Sequence, residues 1–240
     1  MTQLDSLSSE EIAARLSGSP EARAALIREG AEAGLAEAQA VYGQMLLDAQ
    51  KPGEAFGWFW KAAQQGHAMG LNMLGRCYDL GWGTQVDKVR AAECFRVAAE
   101  AGLDWGMYNY GSALALGQGL IEDKAQALVW FEKAAAMGHA KSTNFVGSFH
   151  EEGTLIPRDM AAAADCYARA AEGGDFRGMF NHARMLAEAG DVDAALAWIG
   201  QCGAAATPAF RDKALAWLAQ VPDPRLRSAG TAALRTGAKP

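Results

Sequence analysis

The sequence predicts an all-α fold, a stack of about five two-helix repeats closed by capping helices at both ends. Three observations predict it. Gly66, Gly102, Gly138 and Gly174 stand 36 residues apart, each preceded by an Ala-Ala pair (Ala62-Ala63, Ala98-Ala99, Ala134-Ala135, Ala170-Ala171). A second glycine series (Gly75, Gly111, Gly147), an aspartate series (Asp87, Asp123, Asp159) and an alanine series (Ala91, Ala127, Ala163) keep the same step. Between them, small and apolar residues such as Gly70, Leu74, Gly75 and Tyr78 fall on one face of a 3.6-residue period. Fixed periods of this length are the signature of stacked helical arrays.

The elements follow in order. Residues 1–34 form an amino-terminal cap: Ser8-Ser9-Glu10-Glu11 opens a short helix, and Ser19-Pro20-Glu21 opens another that runs to Gly34. Residues 35–66 are a first repeat with a shortened inter-helix loop, in which Pro52 takes the first helical position, where its missing N–H does no harm. Residues 67–102 are a full repeat, with a first helix over about 68–80 and a second capped by Asp87, which carries Ala91, Cys94, Phe95 and Ala98 inward. Residues 103–138 repeat this with Ala127, Trp130, Phe131 and Ala134, and Asp123 followed by Gln126 offers a capping box. Residues 139–174 supply Ala163, Cys166, Tyr167 and Ala170. Residues 175–206 are again short, matching at Gly178, Ala183, Leu186, Asp191, Ala195, Trp198 and Ile199. A closing helix covers residues 207–221. Residues 222–240 read as a solvated tail, in which Arg225, Arg227, Arg235 and Lys239 face the single acid Asp223. A glycine inside a helix costs about 1 kcal/mol against alanine, so one kept at a repeat position implies a neighbour where a Cβ would collide.

The net charge is −6 and charged residues are 21% of the chain. No basic stripe marks a nucleic-acid footprint. No apolar run approaches the ~20 residues that span a bilayer. The opening MTQLDSLSSEE lacks the basic and apolar regions of a signal peptide, which predicts a cytoplasmic protein. Four cysteines form no CxxC pair and read as small buried hydrophobes. The Ala- and Gly-rich composition is compatible with a GC-rich bacterial genome. His67 and His139 share one repeat slot after the joint glycine, which predicts a local role. His150-Glu151-Glu152 has no second histidine a turn away, GWG and GQG lack a following GK[ST], and no GxSxG is present. No enzyme, cofactor or metal is predicted.

The unit reads small-xxx-LG-xx-Y-xx-G-x-G-xxx-D-xxx-A-xx-[WC]-F-xx-AA-xx-G. It closely resembles the Sel-1-like repeat, a relative of the tetratricopeptide repeat, over about residues 35–206. Leu114 and His150 stand where Tyr78 gives the pattern its tyrosine, Cys94 and Cys166 replace the usual tryptophan, and Lys51 replaces the capping aspartate. The resemblance implies a right-handed α-solenoid that serves as an interaction scaffold or adaptor, without enzymatic activity of its own. It carries over no fixed ligand residues.

In such stacks the first helices line a concave face. The residues predicted to bind a partner there are Met69, Asn72, Arg76, Trp105, Tyr108, Lys141, Asn144, Arg177, Phe180 and Arg184. Aromatics, methionine and arginine are the types enriched at interface hot spots. The partner expected is a protein or peptide, with an acidic segment or carboxylate terminus facing Arg177 and Arg184, bound by a monomer. The alternative expectation is an immunity protein or chaperone that neutralises a cognate effector.

Overall fold

The structure, a computed structural model, describes residues 8–236. The first seven residues of the opening segment, and Lys239 in the expected tail, lie outside the described residues. Among the described residues every regular element is a helix: α1 (Ser9–Ser17), α2 (Pro20–Glu32), α3 (Ala36–Asp48), α4 (Pro52–Gln64), α5 (Ala68–Leu80), α6 (Lys88–Glu100), α7 (Asp104–Leu116), α8 (Lys124–Ala136), α9 (Ala140–Glu152), α10 (Met160–Glu172), α11 (Phe176–Glu188), α12 (Val192–Ala205), α13 (Pro208–Gln220), a π-turn (Leu226–Gly230) and α14 (Thr231–Thr236). The chain divides into two compact units, residues 1–127 and 128–240, with the division inside α8.

In the first unit each helix from α2 to α6 packs on the next in sequence. Two kinds of glycine make this possible. A Cβ on Gly75 would lie 2.6 Å from Cε1 of Phe95, so this glycine receives the ring of the second helix in its own hairpin, as Gly43 receives Phe59. A Cβ on Gly106 would lie 2.7 Å from the backbone nitrogen of Ala99 and 2.8 Å from Cβ of Ala98. The recurring Ala-Ala pair is therefore the seat on which the next repeat rests. The core beside these contacts joins Leu46, Phe59, Met73, Leu74, Cys77, Tyr78 and Phe95.

Helix starts follow side-chain caps. Ser8 and Glu11 form a complete reciprocal box. Asp87 accepts from the Arg90 N–H, and Asp123 from that of Gln126 at 2.8 Å. Lys51, in the slot of the capping aspartate, makes no side-chain cap bond. The joint histidines are caps too: Nδ1 of His67 accepts from the Gly70 N–H at 3.1 Å, and His139 does the same for Ser142. Asp175 takes that slot in α11 and accepts from the Gly178 N–H at 2.9 Å.

In the second unit α9 packs on α10, α10 on α11, and α11 on α12, with Phe131 stacked on Phe145 at 4.7 Å. The segment read as a solvated tail folds back instead. Leu226 is 2% and Leu234 0% exposed, both within the core of Ile199, Cys202 and Leu218. A Cβ on Gly203 would lie 2.6 Å from the Leu234 carbonyl oxygen, so α14 sits directly on α12. The basic residues assist this closure: Arg225 pairs with Asp193, and Arg227 donates to the carbonyls of Val221 and Pro222. Apolar leucines eight positions apart outweigh the charge of the residues between them.

Two substitutions test these contacts by urea denaturation. Gly106→Ala is expected to lower stability by about 1–3 kcal/mol through overpacking, despite a helix-propensity gain of ~1 kcal/mol. Leu234→Ala is expected to cost ~2–5 kcal/mol, whereas a residue in a solvated tail would change stability by less than ~0.5 kcal/mol.

Candidate functional site

In the first unit the site forms around Arg76. It sits on α5 one position past the packed Gly75, half-buried, with its guanidinium carbon 4.7 Å from the centre of the Trp82 ring. Its Nη1 approaches Sδ of Met73 at 3.8 Å. Among the described residues no carboxylate forms an ion pair with it, because Asp79, three residues on, is held by Nζ of Lys88 at 2.6 Å. Burial pulls the guanidinium below its ordinary pKa, against the smaller opposing effects of Cys77 and Asp79. A pocket of about 340 Å³ opens beside it, walled by Gln44, Leu47, Asp48, Gln50, Pro52 and Trp82. The carboxylate in that wall, Asp48, accepts from Nε2 of Gln44 at 2.8 Å and forms no ion pair with Arg76. A cation stripped of part of its water and lacking such a pair attracts an anion.

Met69 and Trp105 are exposed at 37% and 40%. The Trp105 ring stands edge-on to Tyr108, 6.1 Å between centres. Neither aromatic lines the Arg76 pocket. Asn72 is 2% exposed and its Oδ1 accepts from Nδ2 of Asn109 on α7 at 2.8 Å.

In the second unit Asn144 is 4% exposed and accepts in the same way from Asn181, at 2.9 Å. Arg184 lies 2.6 Å from Oε2 of Glu151 and 3.4 Å from Oε1 of Glu188, and the Tyr167 hydroxyl donates to Glu151 at 2.7 Å. Burial pushes the Glu151 carboxyl up, but the bonds from Arg184 and Tyr167 outweigh it and hold the group below 4.5. Phe180 is half-buried against Phe210 and Trp217, at 5.6 and 5.2 Å between ring centres. Arg177 is exposed, 4.6 Å above the Phe176 ring and 5.8 Å from that of Phe210. Lys141 is half-buried on α9.

Four of the ten residues expected to face a partner are thus engaged internally. Asn72 and Asn144 bridge neighbouring first helices, Phe180 packs under α13, and Arg184 is neutralised by two glutamates. Sequence reasoning missed Trp82, Asn109, Asn181, Phe210 and Trp217. A signal existed for the asparagines, since Asn109 and Asn181 each follow their acceptor by 37 residues. Trp82 sits inside the GWG loop, where the glycines dominate the reading.

The four thiols are free: Cys77 and Cys202 are 0% and Cys166 8% exposed, while Cys94 is half-buried. Burial pushes Cys77 and Cys202 up to about 12 and Cys94 up to about 11. Among the described residues no group of three or more His, Cys, Asp and Glu side chains is placed to hold a metal ion. No described helix is long and apolar enough to cross a membrane.

A model of the Sel1 repeat matches residues 36–67, 68–103, 106–139 and 140–175, more than half of the chain. The protein belongs to the Sel1 repeat family. Its fold class is therefore that of the Sel1 α-solenoids. Among solved structures it is similar to c5321, a protective antigen of uropathogenic Escherichia coli strains with an SLR fold, at 25% identity and TM-score 0.70, over 95% of this chain and 52% of that one. It is also similar to a Sel1 repeat protein from Oxalobacter formigenes, at 26% identity and TM-score 0.69, over 84% of this chain and 60% of that one. A curated relative, DAP3-binding cell death enhancer 1 of Rattus norvegicus, is 37% identical over 79 residues, which are 31% of this chain and 15% of that protein. The chain spans about half the length of the first of these. Sel1 repeats typically mediate protein–protein interaction, and the family is generally non-enzymatic.

The Arg184 pair has a pH signature. With its carboxyl held below the unfolded value of about 4.5, Glu151 contributes stability in full above that pH and loses it as pH falls through the lowered value. Glu151→Gln is expected to lower stability at pH 7 by about 1–3 kcal/mol and to flatten the acid limb between pH 3 and 5, read as the urea midpoint against pH.

Proposed function

We propose that the protein is a non-enzymatic scaffold that binds a peptide or protein partner through its first helices, with Arg76 in the first unit as the anchor for a partner carboxylate. One comparison within the chain carries this reading. Arg76 and Arg184 occupy the same repeat slot, each directly after the packed residue of its first helix (Gly75 and Ala183). Glu151, which neutralises Arg184, sits at the slot that Leu47 holds one repeat before Arg76. Leu47 lines the Arg76 pocket. Replacing the glutamate by leucine leaves a half-buried cation without an ion-pair partner and an opening beside it, and an incoming carboxylate supplies that pair. The flat face of Trp82 fixes the guanidinium plane for a two-pronged contact.

Met69, Trp105 and Tyr108, outside the Arg76 pocket, are the further apolar and aromatic area that the reading assigns to the partner. In the second unit the reading uses Arg177, over Phe176 and Phe210, together with Lys141. It does not use Asn72, Asn144, Phe180 or Arg184. The partner bears at least one acidic side chain or a free carboxylate terminus, and the protein acts as a monomer in the cytoplasm.

The test is selection of binders from a random peptide library on the full chain, followed by affinity measurement on variants. Selected peptides are expected to carry a carboxylate whose neutralisation abolishes binding. Arg76→Ala is expected to weaken them by about 10–30-fold, or ~1.4–2 kcal/mol. Leu47→Glu, which rebuilds the Glu151 arrangement beside Arg76, is expected to weaken them comparably while the fold is retained. Binders indifferent to both changes would remove Arg76 from the site and sink the reading.

A further inference from the structure

Asp79 is the acid of its own helix that Arg76 would otherwise take. It follows Arg76 by three residues, a spacing at which helix side chains meet. Burial lowers the Arg76 pKa, and Asp79 stands near enough to oppose that effect. Both line one polar cavity of about 90 Å³, with Lys88, Asn109 and Ser112. A guanidinium in this slot does turn to an acid of its own helix, since Arg184 reaches Glu188 at 3.4 Å. Lys88, at the first position of α6, claims the carboxylate instead. Its Nζ donates to Oδ1 of Asp79 at 2.6 Å and to the Asp79 main-chain carbonyl at 2.9 Å.

The repeat shows that this hold is confined to one copy. The first position of the second helix reads Pro52, Lys88, Lys124, Met160 and Val192. The slot of Asp79 reads Leu47, Asp79, Ala115, Glu151 and Ala187. Only the second repeat holds a lysine and an acid together. In the third, Lys124 has alanine in the acid slot and pairs with Glu122 of its own loop at 3.5 Å. In the fourth, Met160 makes no claim on Glu151, and that acid bonds an arginine, Arg184, at 2.6 Å. Glu151 reaches forward by one repeat. The residue one repeat on from Asp79, in the slot of Arg184, is Ser112, which leaves Arg76 as the arginine beside Asp79.

We infer that Lys88 is a positioning residue for the Arg76 anchor: by holding Asp79 it keeps the guanidinium open to a partner carboxylate. The consequence for binding rests on Arg76 being the anchor, as proposed above, whereas the competition of Lys88 and Arg76 for Asp79 stands without it. Without the lysine, Asp79 turns to the half-buried guanidinium and makes from within the chain the pair that a partner would make. A partner carboxylate then has to displace it.

Phenylglyoxal, which modifies arginine, reads the guanidinium with no partner present. The full chain is treated with it, and the Arg76 peptide is followed by mass spectrometry. Lys88→Met, the residue the fold accepts at Met160, is expected to slow Arg76 modification about two- to fivefold, the range of a part-exposed ion pair. Lys88→Arg, which keeps a cation on Asp79, is expected to retain the wild-type rate, as is Lys88→Met combined with Asp79→Asn. The same variants are titrated with a library peptide that Arg76→Ala weakens. Lys88→Met is expected to weaken that peptide about two- to fivefold, but by less than about twofold in the Asp79→Asn background. A merely structural role for Lys88, or a direct contact with the peptide, would weaken binding equally in both backgrounds and overturn the inference. Arg76 modified at the wild-type rate in folded Lys88→Met would do the same. Where no selected peptide responds to Arg76→Ala, the anchor falls and the binding role of Lys88 with it, and the modification rates distinguish that failure from a failure of the Lys88 hold.

Discussion

The close approach of a first helix to the Ala-Ala pair preceding it is the contact on which the rest depends. At Gly106 the two backbones come so near that the Cα hydrogen is all that fits over the Ala98–Ala99 peptide. The same approach holds at Gly70 over Ala62-Ala63 and at Gly178 over Ala170-Ala171. Small residues on both sides remove the volume that would otherwise hold helices at their usual spacing of ~8–10 Å. Once that distance is set, the ring slots follow, because Phe59 and Phe95 must then fold over Gly43 and Gly75. The fourth repeat has Ser142 at the seat. It is 0% exposed, and its hydroxyl meets Nδ1 of His139 at 3.0 Å. A hydroxyl is tolerated there because the joint histidine satisfies it, which couples two substitutions that otherwise look unrelated.

Much of this architecture is legible in the amino-acid sequence, for a physical reason. Helix ends are local events, written by Asp87, Asp159, Pro52 and the joint glycines within a few residues of where they act. The period repeats that local information several times, so noise in one copy is corrected by the others. The direction of a side chain around its helix is not local in this way. Each step turns about 100°, so residues that face a groove and residues that bridge two repeats differ by one or two positions. Asn72 and Asn144 fall on the bridging side of that line. The paired asparagines exist because a buried amide must find a partner, and Asn109 and Asn181 provide it at a spacing of one repeat plus one residue. The carboxyl-terminal segment misleads for a different reason. Leu226 and Leu234 lie in two short segments, Leu226–Gly230 and Thr231–Thr236, too short to show a helical period of their own, and the arginines around them dominate the composition.

The repeats also alternate. His67 and His139, Asn72 and Asn144, Trp58 and Trp130, Cys94 and Cys166 are each two repeats apart, and the copy between them holds a different residue. Alternation gives every slot an internal control: the same backbone position appears with and without a given side chain. Arg184 with Glu151 shows what a satisfied guanidinium looks like in this fold, at 18% side-chain exposure and 2.6 Å. Arg76 beside Leu47 shows the same slot without its acid. Trp58 on Tyr42 shows a filled aromatic slot, and Cys94 with Leu74 the same slot without either ring.

That control changes how function is read from such a chain. A position that keeps the repeat is explained by stacking, since every copy needs it, and its chemistry says little about a partner. A position that breaks the repeat and leaves its neighbours unchanged creates an imbalance, such as a cation without its acid. Stacking does not repair the imbalance, because the flanking helices are held in place by the Gly and Ala seats and do not move to close the gap. At Cys166 the gap is closed and the thiol is buried. At Arg76 it stays open beside a pocket, at a standing cost in unpaired charge. A carboxylate supplied there by a partner, as proposed, would restore the balance that Glu151 maintains at Arg184, so binding free energy would come from completing a pattern already built into the fold.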